Sequence, residues 1–314
     1  MNLAPAIALV IAGTVLAVAL PPVLLRLGRR SPQLALTCWQ LAAAAVLSSW
    51  LLACLSIGDL LFEPLHRLGH LLSICIASLQ GLAHVSAPGT GAQLLGGLAS
   101  AALAGWVAGW IGIRLSRERR ARLRHAAGLR LVARRDAEAG IYILDSPHPA
   151  VYCFPGPEPM VVASTSALAE LSPDELAAAL AHEHAHLAHR DHLRISIARA
   201  LGRALAFVPL FAIAADEVAR LCELRADDDA ARVHGHTTVA AALLHLLATR
   251  PPAPGLGAGG PGSAARVRRL LDPPADSRRV ALLFTAATTA AIPFVALGVA
   301  LMTLPYGVAL CDLH

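Results

Sequence analysis

The reactive residue types are most densely packed in His182-Glu183-His184-Ala185-His186. On a helix, side chains four apart stack one turn apart on one face, so the imidazoles of His182 and His186 can share a single zinc ion. Glu183 projects roughly 100° round from His182, within reach of a proton on water at that ion. The layout is that of metal-assisted hydrolysis with a carboxylate as general base. Catalytic zinc takes three protein ligands and keeps a fourth position open. Glu223, in Cys222-Glu223-Leu224-Arg225-Ala226-Asp227, is the natural third candidate. Asp227 lies one turn beyond it on the same face, where it can accept a hydrogen bond from a ligand histidine and fix its tautomer. His189 is a second candidate donor, three residues past His186. His184 points away from the ligand face and reads as polar surface, while Asp191 and His192 read as the helix end. His234 or His236 is a candidate donor to an oxyanion.

These groups need rigid elements beneath them. Ser172-Pro173-Asp174-Glu175 reads as an N-cap, a proline at the first helical position and a glutamate closing a capping box, so the motif helix should run from there to about His189. Short strands are expected over 141–144, 151–154 and 160–163, separated by Pro and Gly turns. Residues 204–215 are wholly apolar but too short to span a bilayer, and read as a core or membrane-grazing helix. The Pro/Gly-rich stretch 251–262 reads as a flexible loop.

Composition sets the surroundings. The chain has 314 residues, 56% hydrophobic and 15% charged, with mean hydropathy +0.59. A soluble domain is usually less apolar and more charged. All 26 basic residues are Arg, which excludes lysine Schiff bases, phosphate-loop lysines and Ser-x-x-Lys nucleophiles. The six cysteines form no CxxC pair and read as buried thiols. Net charge is +5, but the Arg clusters flank apolar runs, which fits membrane topology and not direct nucleic-acid binding.

Four transmembrane spans are expected, over 3–25, 33–57, 94–113 and 280–304, the first an anchor and not a cleaved signal. The third carries Gly97, Ala101, Gly105 and Gly109 at four-residue spacing, a face on which another helix or a second copy of the chain can pack closely. The positive-inside rule puts residues 116–278 in the cytoplasm and both termini outside. Between spans two and three, leucines recurring every three or four residues over 61–82 predict an amphipathic helix on the outer membrane face, its His66, His70 and His84 forming a solvated polar face. The expected fold is therefore a mainly α membrane protein of about four transmembrane helices with a cytoplasmic α+β, zincin-like domain. Its regions are 1–115, with three spans and the outer helix; 116–278, the zinc domain; and 279–314, the last span and a short outer tail.

An HExxH motif followed some forty residues on by ExxxD, inside an apolar chain, resembles the BlaR/MecR-type antirepressor metallopeptidases, relatives of the HtpX and CAAX-prenyl protease families. The likeness runs from about Tyr142 to Leu271, through Asp145-Ser146-Pro147, Pro159-Met160-Val161-Val162, Ser172 to Leu176, the HExxH helix, Glu223 to Asp227, and Arg266 to Leu271. It implies His182, His186 and Glu223 as zinc ligands, Glu183 as base, and a substrate laid out as an extended strand beside residues 151–163. It also implies a multi-pass cell-membrane metalloendopeptidase in signal transduction that cleaves a cytoplasmic winged-helix repressor or itself. An HtpX-like quality-control protease is the alternative, and an inactive membrane receptor or scaffold the second. Antibiotic-sensing members carry an outer penicillin-binding domain with a Ser-x-x-Lys nucleophile. A chain without lysine cannot acylate in that way, so any signal is expected to enter through the outer loop, the spans or a partner.

Overall fold

A computed structural model describes residues 4–51, 53, 90–248 and 261–273. The expected outer helix over 61–84, the fourth span and residues 251–260 of the Pro/Gly stretch lie outside the described residues.

Helices α1 (Ala4–Arg30) and α2 (Pro32–Leu51) meet at Ser31 and form a hairpin. Ser49 Oγ donates to the Leu9 carbonyl at 2.6 Å, and Gly13 lies so close to Trp50 that a Cβ there would sit 2.8 Å from its indole nitrogen. Segments Ile7–Arg30 and Pro32–Leu51 are long and apolar enough to cross a membrane. Helix α3 (Thr90–Val132) contains the expected third span but continues unbroken through the Arg-rich stretch for 43 residues. Gly105 and Gly109, from the small-residue stripe, have open space where a Cβ would stand.

The chain divides into two compact units, one drawing on Met1–Ala17 and Ala42–Val107, the other on Val18–Leu41 and Ala108–Ala275. The second contains a four-stranded sheet: β1 (Arg134–Asp136), β2 (Ile141–Leu144), β3 (Val151–Phe154) and β4 (Met160–Ser164), in the order β1-β2-β4-β3. Strands β2 and β4 run parallel, and the other two pairings are antiparallel. The period of two sorts their side chains. Ile141, Ile143, Val161 and Ala163 pack with Leu180 and Leu187, while Met160, Val162, Tyr142 and Leu144 pack with Ala126 and Leu129 of α3. The sheet is thus covered on both faces, and β3 stands at its edge.

Short α4 (Thr165–Glu170) leads into α5 (Pro173–Ala188), whose capping box forms as the sequence predicts: Ser172 Oγ accepts from the Glu175 amide, and Glu175 Oε2 accepts from the Ser172 amide at 2.9 Å. His189 is the C-cap, and Arg190, at φ 53°, takes the left-handed conformation that turns the chain directly into α6 (Asp191–Ala204). Helix α7 (Pro209–His234) returns along α6. The two approach closely at Gly202, where a Cβ would lie 2.8 Å from the Phe211 carbonyl oxygen. The apolar stretch 204–215 is therefore the turn between them and the first turns of α7, with Leu210, Phe211 and Ala214 buried. Helices α8 (His236–Ala248) and α9 (Pro261–Leu271) complete the unit, packing Val239, Ala240 and Leu270 against Ala178, Ala230 and Ala231.

Candidate metal centre

Two crossing helices bring the reactive residues together. Helix α5 presents His182, Glu183 and His186, and α7 presents Glu223 and, one turn on, Asp227. One donor atom from each of His182, His186 and Glu223 lies within 4.8 Å of the others, a set able to hold a metal ion. Glu223 Oε2 is 3.6 Å from His182 Nε2, and its Oε1 is 3.6 Å from His186 Nε2.

Each imidazole is held from behind by a buried aspartate. His182 Nδ1 lies 3.1 Å from Asp227 Oδ1, and His186 Nδ1 lies 2.8 Å from Asp191 Oδ2. The two Nε2 atoms face each other across only 3.1 Å, each ring being engaged at Nδ1 by its aspartate. A proton on one Nε2 or a metal ion between the two satisfies that contact. A tetrahedral zinc with Zn–N near 2.0–2.1 Å sets its nitrogens roughly 3.3 Å apart, and zinc accepts an N, N, O donor set, so the residues fit that ion. Burial disfavours a charged His182, but Asp227 and Glu223 outweigh it and push its pKa up to about 9. The same site pulls protons and metal ions alike.

The carboxylates are themselves tied down. Arg266 of α9 reaches Asp227 through Nε at 2.8 Å and Nη2 at 2.7 Å, and reaches Glu223 Oε2 through Nη1 at 2.7 Å. Burial raises the Asp227 pKa, but Arg266 and His182 reverse that and hold it at about 2. Asp191 pairs with the buried guanidinium of Arg225, and against the cost of burial His186 and Arg225 lower its pKa. Glu183 faces a cleft of about 520 Å³ between α5, α8 and the start of β3, which His182, Glu223, Asp227 and Arg266 also line. The Cys153 thiol of β3 lies beside Glu183, and burial together with that carboxylate drives its pKa far upward.

The geometry therefore assembles all five residues singled out for the site, His182, Glu183, His186, Glu223 and Asp227. It places others differently. His189 Nε2 lies 2.7 Å from Asp229 Oδ2 and is engaged there, not at the centre. His184 is exposed and bonds to the Leu180 carbonyl, as a surface residue should. Neither His234 nor His236 lines the cleft. Asp191, read as no more than a helix end, is the counterpart of Asp227. Its signal was a carboxylate five residues after His186, reachable only through the left-handed Arg190. Arg266 opens the stretch 266–271 that carries the resemblance, but sequence assigns it no role, because nothing in its spacing points back across forty residues.

A family model, described as peptidase family M48, matches residues 116–216, about a third of the chain. The match supports a metallopeptidase of that family in the broad sense, and zinc dependence is general to the family. It contains the HExxH helix and stops short of Glu223. No solved structure matches the chain.

Proposed function

We propose that the chain is a zinc metalloendopeptidase in which His182, His186 and Glu223 hold the ion and Glu183 is the general base. The observation that carries the reading is the convergence of both Nε2 atoms and the Glu223 carboxylate, each imidazole backed by its own aspartate. Zinc there supplies a Lewis acid that polarises the scissile carbonyl and acidifies water. Glu183 takes the proton of the attacking water and passes it to the amide nitrogen as the C–N bond breaks, leaving a carboxylate and an amine. Asp191 and Asp227 accept from the two Nδ1 atoms, which leaves each Nε2 facing the centre as the donor to a metal ion and fixes the rings in angle. Arg266 holds Glu223 and Asp227 in register. Strand β3, paired only with β4 among the described residues, offers a free edge beside Glu183 for an extended peptide.

The setting is the cell membrane, with α1 and α2 as spans and the centre on the cytoplasmic side. The motive is the length and apolarity of those helices and the Arg bias of the segments around residues 26–30 and 114–124. The substrate is a protein. We carry regulatory cleavage of a winged-helix repressor, or of the chain itself, as the reading; an HtpX-like quality-control role differs from it in substrate range. New cytoplasmic N-termini, mapped in cells making the active chain and absent with Glu183→Gln, separate a single repressor from many misfolded membrane proteins. Association of copies through the Gly97/Ala101/Gly105/Gly109 face belongs to the same proposal.

The deciding test pairs zinc per chain with cleavage of unfolded casein by the purified, detergent-solubilised protein. Ala at His182, His186 or Glu223 should remove both metal and activity. Glu183→Gln should keep about one zinc per chain and lose roughly 10²-fold or more, because an amide cannot take the proton at neutral pH. Full zinc in Glu223→Ala would show that the third ligand is another residue. Undiminished cleavage by Glu183→Gln, with contaminants excluded, would sink the mechanism.

A further inference from the structure

Helix α3 changes character over a few turns. The uncharged stretch 94–113, read from the sequence as a span, closes near Trp110, whose ring carries the Arg114 guanidinium 5.0 Å from its centre. Leu115, Ser116, Arg119, Arg122 and Leu123 then share one helical face, and that face lines a cavity of about 520 Å³. Its other walls are the proline-rich turn 155–159 between β3 and β4 and the junction of α5 with α6 at Arg190 and His192. Three arginines, Arg119, Arg122 and Arg190, line the cavity, and no acidic residue does. Outside it, Glu118 lies 3.6 Å from Arg122 and accepts from Ser196, and Glu158 is taken by Arg130 at 3.1 Å. Arg119 and Arg190 have no ion-pair partner among the described residues. Arg190 is also the N-cap of α6, and no side chain caps that helix, so its first turn keeps a partial positive charge. The acid in that turn, Asp191, is committed to His186 and Arg225. His192 Nδ1 is buried without a hydrogen-bond partner among the described residues, a cost that a ligand oxygen would remove. Burial, then the charges of Arg122 and Arg190, lower the pKa of that ring against the pull of Asp191.

We propose that this cavity binds the phosphate group of an anionic membrane phospholipid. The inference rests on the membrane setting proposed above and is independent of the peptidase reading. Arg119 stands six residues past the apolar stretch, about 9 Å along the helix, which is headgroup depth beyond a hydrocarbon core. Guanidinium groups fork onto phosphate oxygens, so arginines converging from α3 and from the α5–α6 junction suit one phosphate held between them. Exposed Leu123 and Leu193 on the rim offer an apolar side for the glycerol backbone and the first methylenes of the acyl chains. A zwitterionic headgroup would bring its own ammonium among three guanidinium groups with no carboxylate in the lining to receive it, so an anionic headgroup is preferred.

The test uses the full chain purified in a neutral detergent. Short-chain phosphatidylglycerol, short-chain phosphatidylcholine and inorganic phosphate are titrated separately, and the ligand bound per chain is read by native mass spectrometry. Phosphatidylglycerol should bind at one site, roughly tenfold or more tighter than phosphatidylcholine. Arg119→Gln and Arg190→Gly should each weaken it roughly fivefold. Glycine takes the left-handed conformation of Arg190 without strain, so that variant removes the charge and keeps the turn. Arg120→Gln and Arg124→Gln, at exposed arginines of the same helix that do not line the cavity, should leave binding unchanged. Equal losses at lining and non-lining arginines would mean a diffuse attraction to a basic helix and overturn the site, as would equal affinity for the two lipids. Phosphate bound through Arg119 and Arg190 at least as tightly as phosphatidylglycerol overturns the lipid and leaves a site for a free anion. Recovery of the chain in the soluble fraction of lysed cells defeats the membrane setting and the lipid with it. The phosphate titration then judges the basic cavity by itself, and no loss in Arg119→Gln or Arg190→Gly overturns that too.

Discussion

Helices α1 and α7 are built inside out relative to each other. Helix α1 turns apolar side chains outward: Ile11, Val15 and Val18 are each 56% exposed. Helix α7 turns charges inward: Glu217, Arg225 and Asp227 are buried at 6% or less. Water explains neither arrangement. A helix with bare valines around it suits a surrounding of lipid tails, where nothing is gained by hiding them. A buried carboxylate is tolerated only where partners replace its lost hydration, and each inward charge on α7 has one: Glu217 holds Arg220 at 2.7 Å, Arg225 holds Asp191, and Asp227 holds His182 and Arg266. The same chain therefore uses two opposite arrangements, apolar groups turned outward on α1 and paired charges turned inward on α7.

The contrast can be broken most forcefully at Asp191. Asp191→Ala strands the Arg225 guanidinium in the interior and frees the His186 ring. We expect a loss of about 3–5 kcal/mol in denaturant unfolding, as for other broken buried pairs. Zinc affinity at buffered free metal should fall roughly 10- to 100-fold as well. Unchanged stability would mean that the interior charges are not mutually dependent. On α1, Val15→Asp should cost about 2.5–3.5 kcal/mol on an insertion scale and shift the protein out of the alkali-resistant membrane fraction. Full retention there would remove lipid as the reason for the exposed valines.

Two smaller effects sharpen the picture within the unit that holds the sheet and α5. Gly202→Ala drives a methyl group against the Phe211 carbonyl, and about 1–3 kcal/mol should disappear from the unfolding free energy. Ser172→Ala opens the capping box of α5 and should cost about 1 kcal/mol at neutral pH. Glu175 accepts from the Ser172 amide and hydroxyl, which outweighs burial and lowers its pKa. A carboxylate with a lowered folded-state pKa stabilises above its unfolded value, near 4.3, and that contribution is lost as the pH falls through the folded value. The penalty of Ser172→Ala, compared by denaturation at pH 7 and well below pH 4, should therefore shrink in acid. A penalty independent of pH would mean that Glu175 has no part in the cap.

What sequence could reveal divides along the same line. Spacing along one helix is visible in a string of letters, so the capping box, the His182/His186 pair and the Glu223/Asp227 pair were all legible. Strands β2, β3 and β4 were legible from their apolar runs, whereas β1, with Arg134, Arg135 and Asp136, has no apolar residue to mark it. Asp191 was missed because its role depends on one left-handed residue. Arg266 was missed because its partners are set by how α9 folds back on α7. His189 looked like a donor by spacing, yet helix α7 supplies Asp229 opposite it, and that pairing is tertiary.

Arg266 also imposes an order in time. His182, Glu183 and His186 leave the ribosome 80 residues before the guanidinium that fixes Glu223 and Asp227. At about 5–20 residues per second, that interval is roughly 4–16 s. Throughout it the nascent chain carries Glu183 and both imidazoles without the clamp on Glu223 and Asp227. The two imidazoles and Glu183 thus emerge from the ribosome while the residue that locks their partners is still to be made.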